Sequence, residues 1–307
     1  MGTPDFSVPI LEALIEQENL EIVAVITQPD RKVGRKQIVT APPVKKLALA
    51  HDLLVLQPEK LSGSEEMKKI LELEPDLLIT AAYGQYVPTK LLKTPRFKAI
   101  NVHASLLPKY RGAAPIHYAL LKGDEKTGIT IMYMEKEMDA GNIISQREIM
   151  IGETDDTGTL FEKLSLLGRD LLLDTLPDIF SGQNQSIVQD ESKVSYSPMI
   201  SKEEEKIDWM KSAKEIFNQV RALRPAPGAY TLLNGERFKI WDAKVKEEMS
   251  EAKAGMVVQV DKEKLLVATG NGQLLSLLSV QPAGKRALAI EEYLAGAEIE
   301  KGDLFGE

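Results

Sequence analysis

The sequence predicts a doubly wound α/β domain followed by a small β-barrel. Three observations carry this expectation. Up to Phe180, short runs rich in Val, Ile and Leu alternate with segments whose apolar residues recur at helical spacing. A polar stretch rich in Ser, Gln and Glu then interrupts both patterns. After it, short strand-like runs recur with Asn-Gly or Gly-containing turns between them.

In order, EIVAVIT (21–27), LLVLQ (53–57), DLLIT (76–80), KAINVH (98–103) and GITIMYM (128–134) read as strands. Their near-continuous apolar content suits a parallel sheet covered on both faces. Segments 6–17, 44–51, 65–72 and 116–121 read as the helices between them, and 157–180 as a longer closing helix. This gives a first domain over 1–182, a linker over 183–205 and a second domain over 206–307. The second opens with a helix over 213–222 and a Pro-rich turn over 224–228. The strands AYTLL, RFKIWDAKV, GMVVQV, KLLVAT and QLLSLLSV follow. Asn234-Gly235 and Asn271-Gly272 are hairpin signals.

One feature breaks the pattern. Gly2, Thr3 and Asp5 read as the turn that feeds the first helix of such a fold, yet no strand precedes them. The expectation is that the native gene starts upstream, with a short apolar strand ahead of Met1.

Composition narrows the chemistry. The chain has 307 residues, 43% hydrophobic and 27% charged, as soluble domains do. No apolar run approaches the ~20 residues a membrane-spanning helix requires, and no signal peptide is visible. Cysteine is absent, which removes disulfides, thiol nucleophiles and Cys-ligated zinc and fits a reducing cytoplasm. Three histidines and no HExxH or EF-hand spacing leave no metal site to expect. A net charge of −8 argues against a general nucleic-acid coat but permits a local patch. Arg31, Lys32, Arg35, Lys36, Lys45 and Lys46 form one, with Asp30 beside it. No GxGxxG follows a strand, which disfavours a nicotinamide oxidoreductase.

The richest stretch runs from Asn101 to Ile116 and leaves a buried strand at the edge where open α/β sheets place ligands. Asn101 and His103 are two apart, so on a strand both side chains point to one face and can address one carbonyl oxygen. Asp139, in Met-Asp-Ala-Gly-Asn, follows the strand ending near Met134. If that strand neighbours the one bearing His103, Asp139 reaches the same crevice.

GTPDFSVPILEAL, TQPDRKVGR, AAYGQYVP, INVHASLLPKYRGAAPI, MDAGNII and SLLSVQPAGK occur in this order over nearly the whole chain. Together they resemble the methionyl-tRNA formyltransferase family. SLLPKYRGAAPI is similar to the signature of enzymes that use 10-formyltetrahydrofolate. The resemblance implies a Rossmann-like formyltransferase domain, a linker and an OB-like barrel that binds tRNA. It implies a formyl group passed from 10-formyltetrahydrofolate to the amine of an initiator methionyl-tRNA, by a monomer in the cytoplasm. Asn101 and His103 would stabilise the tetrahedral intermediate, and Asp139 would relay protons. Folate would lie beside Ser105, Leu106, Leu107 and Pro108, with Tyr83, Gly84, Gln85 and Tyr86 lining the pterin side. The loop bearing Arg31, Lys32, Arg35 and Lys36 would approach the tRNA acceptor end, Arg35 above all. The chain departs from the family in lacking the first strand, in reading Pro225-Ala226-Pro227 where the family writes Pro-Trp-Pro, and in a shorter, acidic end.

Glycinamide ribonucleotide formyltransferase and formyltetrahydrofolate hydrolase share the Asn-His-Asp set but lack the basic insertion with a barrel. A sugar-nucleotide formyltransferase is the closer rival. A noncatalytic tRNA-binding protein would have no need of all three site residues.

Overall fold

Pro9 and Pro43 stand in the first turns of the first two helices, where a missing N–H costs nothing. A computed structural model describes residues 1–34 and 36–306. In chain order its first elements are α1 (Val8–Ile15), β1 (Val25–Ile26), β2 (Arg31–Val33), β3 (Ile38–Thr40), α2 (Pro43–Ala50) and β4 (Val55–Leu56). Then come α3 (Glu65–Glu72), β5 (Leu78–Thr80), α4 (Thr89–Lys93), β6 (Ala99–His103) and β7 (Arg111–Gly112). They are followed by α5 (Pro115–Leu121), β8 (Lys126–Tyr133), β9 (Ile143–Met150), α6 (Thr157–Ser181) and β10 (Tyr196–Ser197). The chain forms two compact units. One gathers Met1–Pro115, Lys126–Met150 and Phe161–Pro198; the other gathers Ile116–Glu125, Ile151–Leu160 and Met199–Glu307.

In the first unit β1 pairs in parallel with β4, and β5 with β6. The sheet then departs from the all-parallel expectation: β8 runs antiparallel to β6, and β9 antiparallel to β8, in the order β5-β6-β8-β9. An unbroken apolar run reports burial on both faces, as β8 has, but not direction. Residues 143–150, which carry no strand signal of their own, form the edge strand β9. α3 shows why helices start where they do. Ser64 Oγ accepts from the backbone of Met67, and Glu65 and Glu66 occupy the positive end of the dipole. Tyr83 joins Ile26, Leu61, Ile70, Leu78 and Leu91 in the core beneath the sheet.

Met1 and Gly2 lie between β1 and β5. Gly2 N donates to Ile26 O at 3.0 Å, and Ala81 N donates to Met1 O at 2.9 Å. The Met1 ammonium donates to Ile79 O at 2.6 Å, and desolvation pushes its pKa down to about 5. A largely apolar cavity of about 610 Å³ is lined by Met1, Leu14, Ile22, Val25, Leu78 and Ile79 among others.

Segment 183–205 is not featureless. Ile187 bridges to Ile143 and β10 pairs with β7, so its first part is bound to the first unit.

The second unit continues with α7 (Lys202–Glu205), α8 (Ala213–Ala222), β11 (Ala229–Leu233), β12 (Glu236–Met249), β13 (Val257–Val260), β14 (Leu265–Ala268), β15 (Gln273–Pro282), β16 (Leu288–Ala289) and α9 (Ile290–Leu294). A capping box between Ser212 and Glu215 starts α8. The strands are antiparallel in the order β11-β12-β15-β14-β13, with β16 added to β15. Asn234 and Gly235 both have positive φ, 53° and 76°, which a two-residue turn between twisted strands requires. Phe305 bridges to Leu233 beside one edge strand, and Leu304 to Met256 beside the other. The tail thereby joins the two edges and closes the sheet into a barrel, removing the exposed ladders of an open one. Trp209, stacked on Phe305 at 5.6 Å, and Phe238 fill its interior.

Candidate active site

β6 is central, flanked by β5 and β8, and its register sets the site. Thr80 is opposite Asn101 on one side, and Thr130 is opposite His103 on the other. Asn101 and His103 share a face, as the strand period requires. Thr80 Oγ1 donates to Asn101 Oδ1 at 2.7 Å. The amide's Nδ2 has no hydrogen-bond partner among the described residues.

His103 is buried, and its Nε2 lies 2.9 Å from Tyr110 O. A carbonyl only accepts, so Nε2 carries the hydrogen and Nδ1 is the open nitrogen. Tyr110 sits in the left-handed region at φ 63°, and its carbonyl also accepts from Ser197 Oγ at 3.0 Å.

Asp139 meets Nδ1: its Oδ2 is 3.7 Å away and accepts from Gly112 N at 2.9 Å. A Cβ at Gly112 would lie 2.7 Å from Ser197 O, so glycine is required for β7 to approach β10. The backbone around Asp139 is held separately. Gln189 Nε2 donates to Asp139 O at 2.7 Å and to Gly141 O at 2.8 Å. Gln189 Oε1 accepts from Arg111 Nε at 3.0 Å. Arg111 is 1% exposed, and Glu191 pairs with its guanidinium at 2.8 Å.

The structure thus places Asn101 and His103 on one strand face and sets Asp139 Oδ2 against the His103 ring. Of the residues expected beside folate, Ser105 and Leu107 are buried and fixed. Ser105 Oγ donates to Lys109 O at 2.6 Å, and Thr130 Oγ1 donates to Ser105 O at 2.6 Å. Gln146 Nε2 donates to Leu107 O at 2.8 Å, while Leu106 and Pro108 stay partly open. In the second segment expected to line folate, the Tyr83 side chain belongs to the core, where burial raises its hydroxyl to about 12. Gln85 Oε1 accepts from Leu61 N at 2.8 Å and its Nε2 donates to Pro58 O at 3.0 Å. Gly84, at φ 84°, and the exposed Tyr86 are what this loop leaves toward solvent.

Of the basic residues, Arg31 is tied to Glu59 at 2.6 Å, whereas Lys32 and Lys36 are exposed. They belong to the exposed hairpin of β2 and β3. Arg35 lies outside the described residues. Sequence reasoning missed Thr80, Thr130, Gln146 and Gln189, and assigned Arg111 no role. Among the described residues, no group of three or more His, Asp or Glu could hold a metal ion, and no helix is long and apolar enough to cross a membrane.

The chain belongs to the formyl transferase family, whose model matches residues 1–176, with the formyl transferase C-terminal domain matching residues 199–298. Among its curated relatives is the methionyl-tRNA formyltransferase of Levilactobacillus brevis, 56% identical over 96% of this chain and 94% of that one. The methionyl-tRNA formyltransferase of Bacillus subtilis is 52% identical over 100% of this chain and 96% of its own length. Among solved structures, an N-formyltransferase from Helicobacter canadensis, in complex with folinic acid and dTDP-3-aminofucose, superposes with a TM-score of 0.70. It is 21% identical, over 92% of this chain and 97% of that one, and bears on the fold alone.

Proposed function

We propose that this chain transfers the formyl group of 10-formyltetrahydrofolate to the α-amino group of an initiator methionyl-tRNA. One observation carries the reading. An open amide N–H₂ and an open imidazole nitrogen share one strand face, a carboxylate stands against the imidazole, and the curated relatives of more than half identity are named for this activity.

The residues fit a folate formyl donor in kind. The crevice offers a neutral donor for a carbonyl oxygen and a base with its counter-charge for a proton. The donor supplies a formyl carbon on N10; a C–N bond to the amine forms, the bond to N10 breaks, and one proton moves from the amine to N10. A free α-amine titrates near ~7.7–8.0, so the nucleophile needs little activation. Asn101 Nδ2 donates to the formyl oxygen as it gains charge, a contribution of ~3–4 kcal/mol for such donors elsewhere. His103 accepts the amine proton at Nδ1, since Nε2 is engaged by Tyr110. The imidazolium then donates from Nδ1, to the oxyanion or to the leaving nitrogen. Asp139 Oδ2 faces that nitrogen and stabilises the positive ring.

In this reading residues 1–182 carry catalysis and folate binding, 183–205 connect, and the barrel within 206–307 binds tRNA. Lys32, Arg35 and Lys36 meet the acceptor end. The protein acts as a monomer in the cytoplasm, a compartment that its lack of cysteine suits.

The test is a formylation assay offering charged initiator tRNA, glycinamide ribonucleotide and an amino-sugar nucleotide side by side. Formylation of the tRNA alone is expected, and Asn101→Ala lowers it by ~100-fold or more. Preference for the amino sugar would overturn the assignment.

A further inference from the structure

Thr80 makes a bond that neither strand pairing nor core packing calls for. It is 2% exposed and stands on β5, in register with Asn101 on β6. Its hydroxyl has three oxygen or sulfur atoms within reach: Asn101 Oδ1 at 2.7 Å, Ile100 O at 3.2 Å and Met134 Sδ at 3.2 Å. The shortest of these receives the proton, because a hydroxyl has only one to give. A β-branched side chain is stiff at χ1, so this donor holds its direction. The side-chain amide of Asn101 has two ends of similar shape and opposite polarity. Free to turn, it would present Oδ1 to the crevice as readily as Nδ2. An oxygen there would repel the negative charge that formyl transfer builds.

We propose that Thr80 is a positioning residue for formyl transfer, holding Asn101 Oδ1 by its hydroxyl so that Nδ2 faces the reacting carbonyl. The proposal rests on Asn101 being the oxyanion donor. It assigns the amide's orientation to a buried hydroxyl one strand away rather than to the substrate. In Thr80→Val the shape at the site is kept and the donor removed, so the amide samples both orientations.

The experiment is a double-mutant cycle on the full chain, with steady-state kinetics for charged tRNA and for folate. Thr80→Val is expected to lower kcat about tenfold, the worth of one net hydrogen bond, with KM for both substrates nearly unchanged. Thr80→Ser, which restores the hydroxyl, recovers turnover to within about threefold of the parent. In the Asn101→Ala background, Thr80→Val has no further effect, because there is no amide left to orient. Circular dichroism checks folding, and Thr80→Ala replaces Thr80→Val in the cycle if the latter misfolds. Parental turnover in Thr80→Val would overturn the proposal. So would an equal cost in both backgrounds, which would make Thr80 structural while leaving Asn101 in its role. Parental turnover in Asn101→Ala would overturn this inference together with the reading beneath it.

Discussion

The Nε2 atom of His103 stands 2.9 Å from the carbonyl oxygen of Tyr110, a residue seven positions on that takes a left-handed backbone. A ring held in this way has one hydrogen whose place is fixed and one nitrogen free to react. Nitrogen NMR of the resting enzyme, at a pH where the ring is neutral, should show Nε2 protonated and Nδ1 bare. The opposite tautomer would break the proton route through Nδ1. His103→Ala should lower turnover by ~100-fold or more with the far-ultraviolet dichroism unchanged.

Asp139 separates chemistry from folding. It sits at φ 53°, a left-handed conformation that costs Asn less than Ala. Asp139→Asn keeps an oxygen for Gly112 N–H but loses the charge facing His103. It should hold the parental melting temperature and lose ~100-fold or more in turnover. Asp139→Ala should lose the same activity and about 1–2 kcal/mol of stability besides. Full turnover in Asp139→Asn would show that the charge is not used.

The exposed hairpin should act only on the tRNA. Replacing Lys32, Arg35 and Lys36 by Ala should weaken use of charged tRNA and leave folate binding as it was. For each phosphate no longer neutralised, the slope of log K against log salt should become shallower by about 0.7–0.9. An unchanged slope would make this hairpin an ordinary solvated loop. Arg31 should matter less, since Glu59 already holds it at 2.6 Å.

Much of this was legible in the residues. The strand ending at His103 announced itself through an apolar run that stops at polar residues spaced by two. The hairpin turn at Asn234-Gly235 did so through its need for positive φ. Strand direction at β8 was not legible, because burial on both faces looks the same either way along the chain. Gln189 was invisible for another reason. Its partners Arg111 and Asp139 are 78 and 50 residues away, and nothing in a Ser/Gln-rich stretch marks one amide as the buried one. Arg111 misleads similarly, since only the fold supplies the Gln189 and Glu191 that let a guanidinium be buried.

Gln189 is a single buried side chain in a run that is otherwise exposed from 185 to 193. Surface runs of this kind open locally at far lower free energy than the sheet they lie on. Whenever this one lifts, the backbone at Asp139 and Gly141 loses the Gln189 amide, while Gly112 N still holds the carboxylate. A native-looking population with the Asp139 backbone released is therefore expected, its size set by the latch and not by the core. On warming, turnover declines ahead of the loss of secondary structure, and amide exchange at 186–191 is the faster clock.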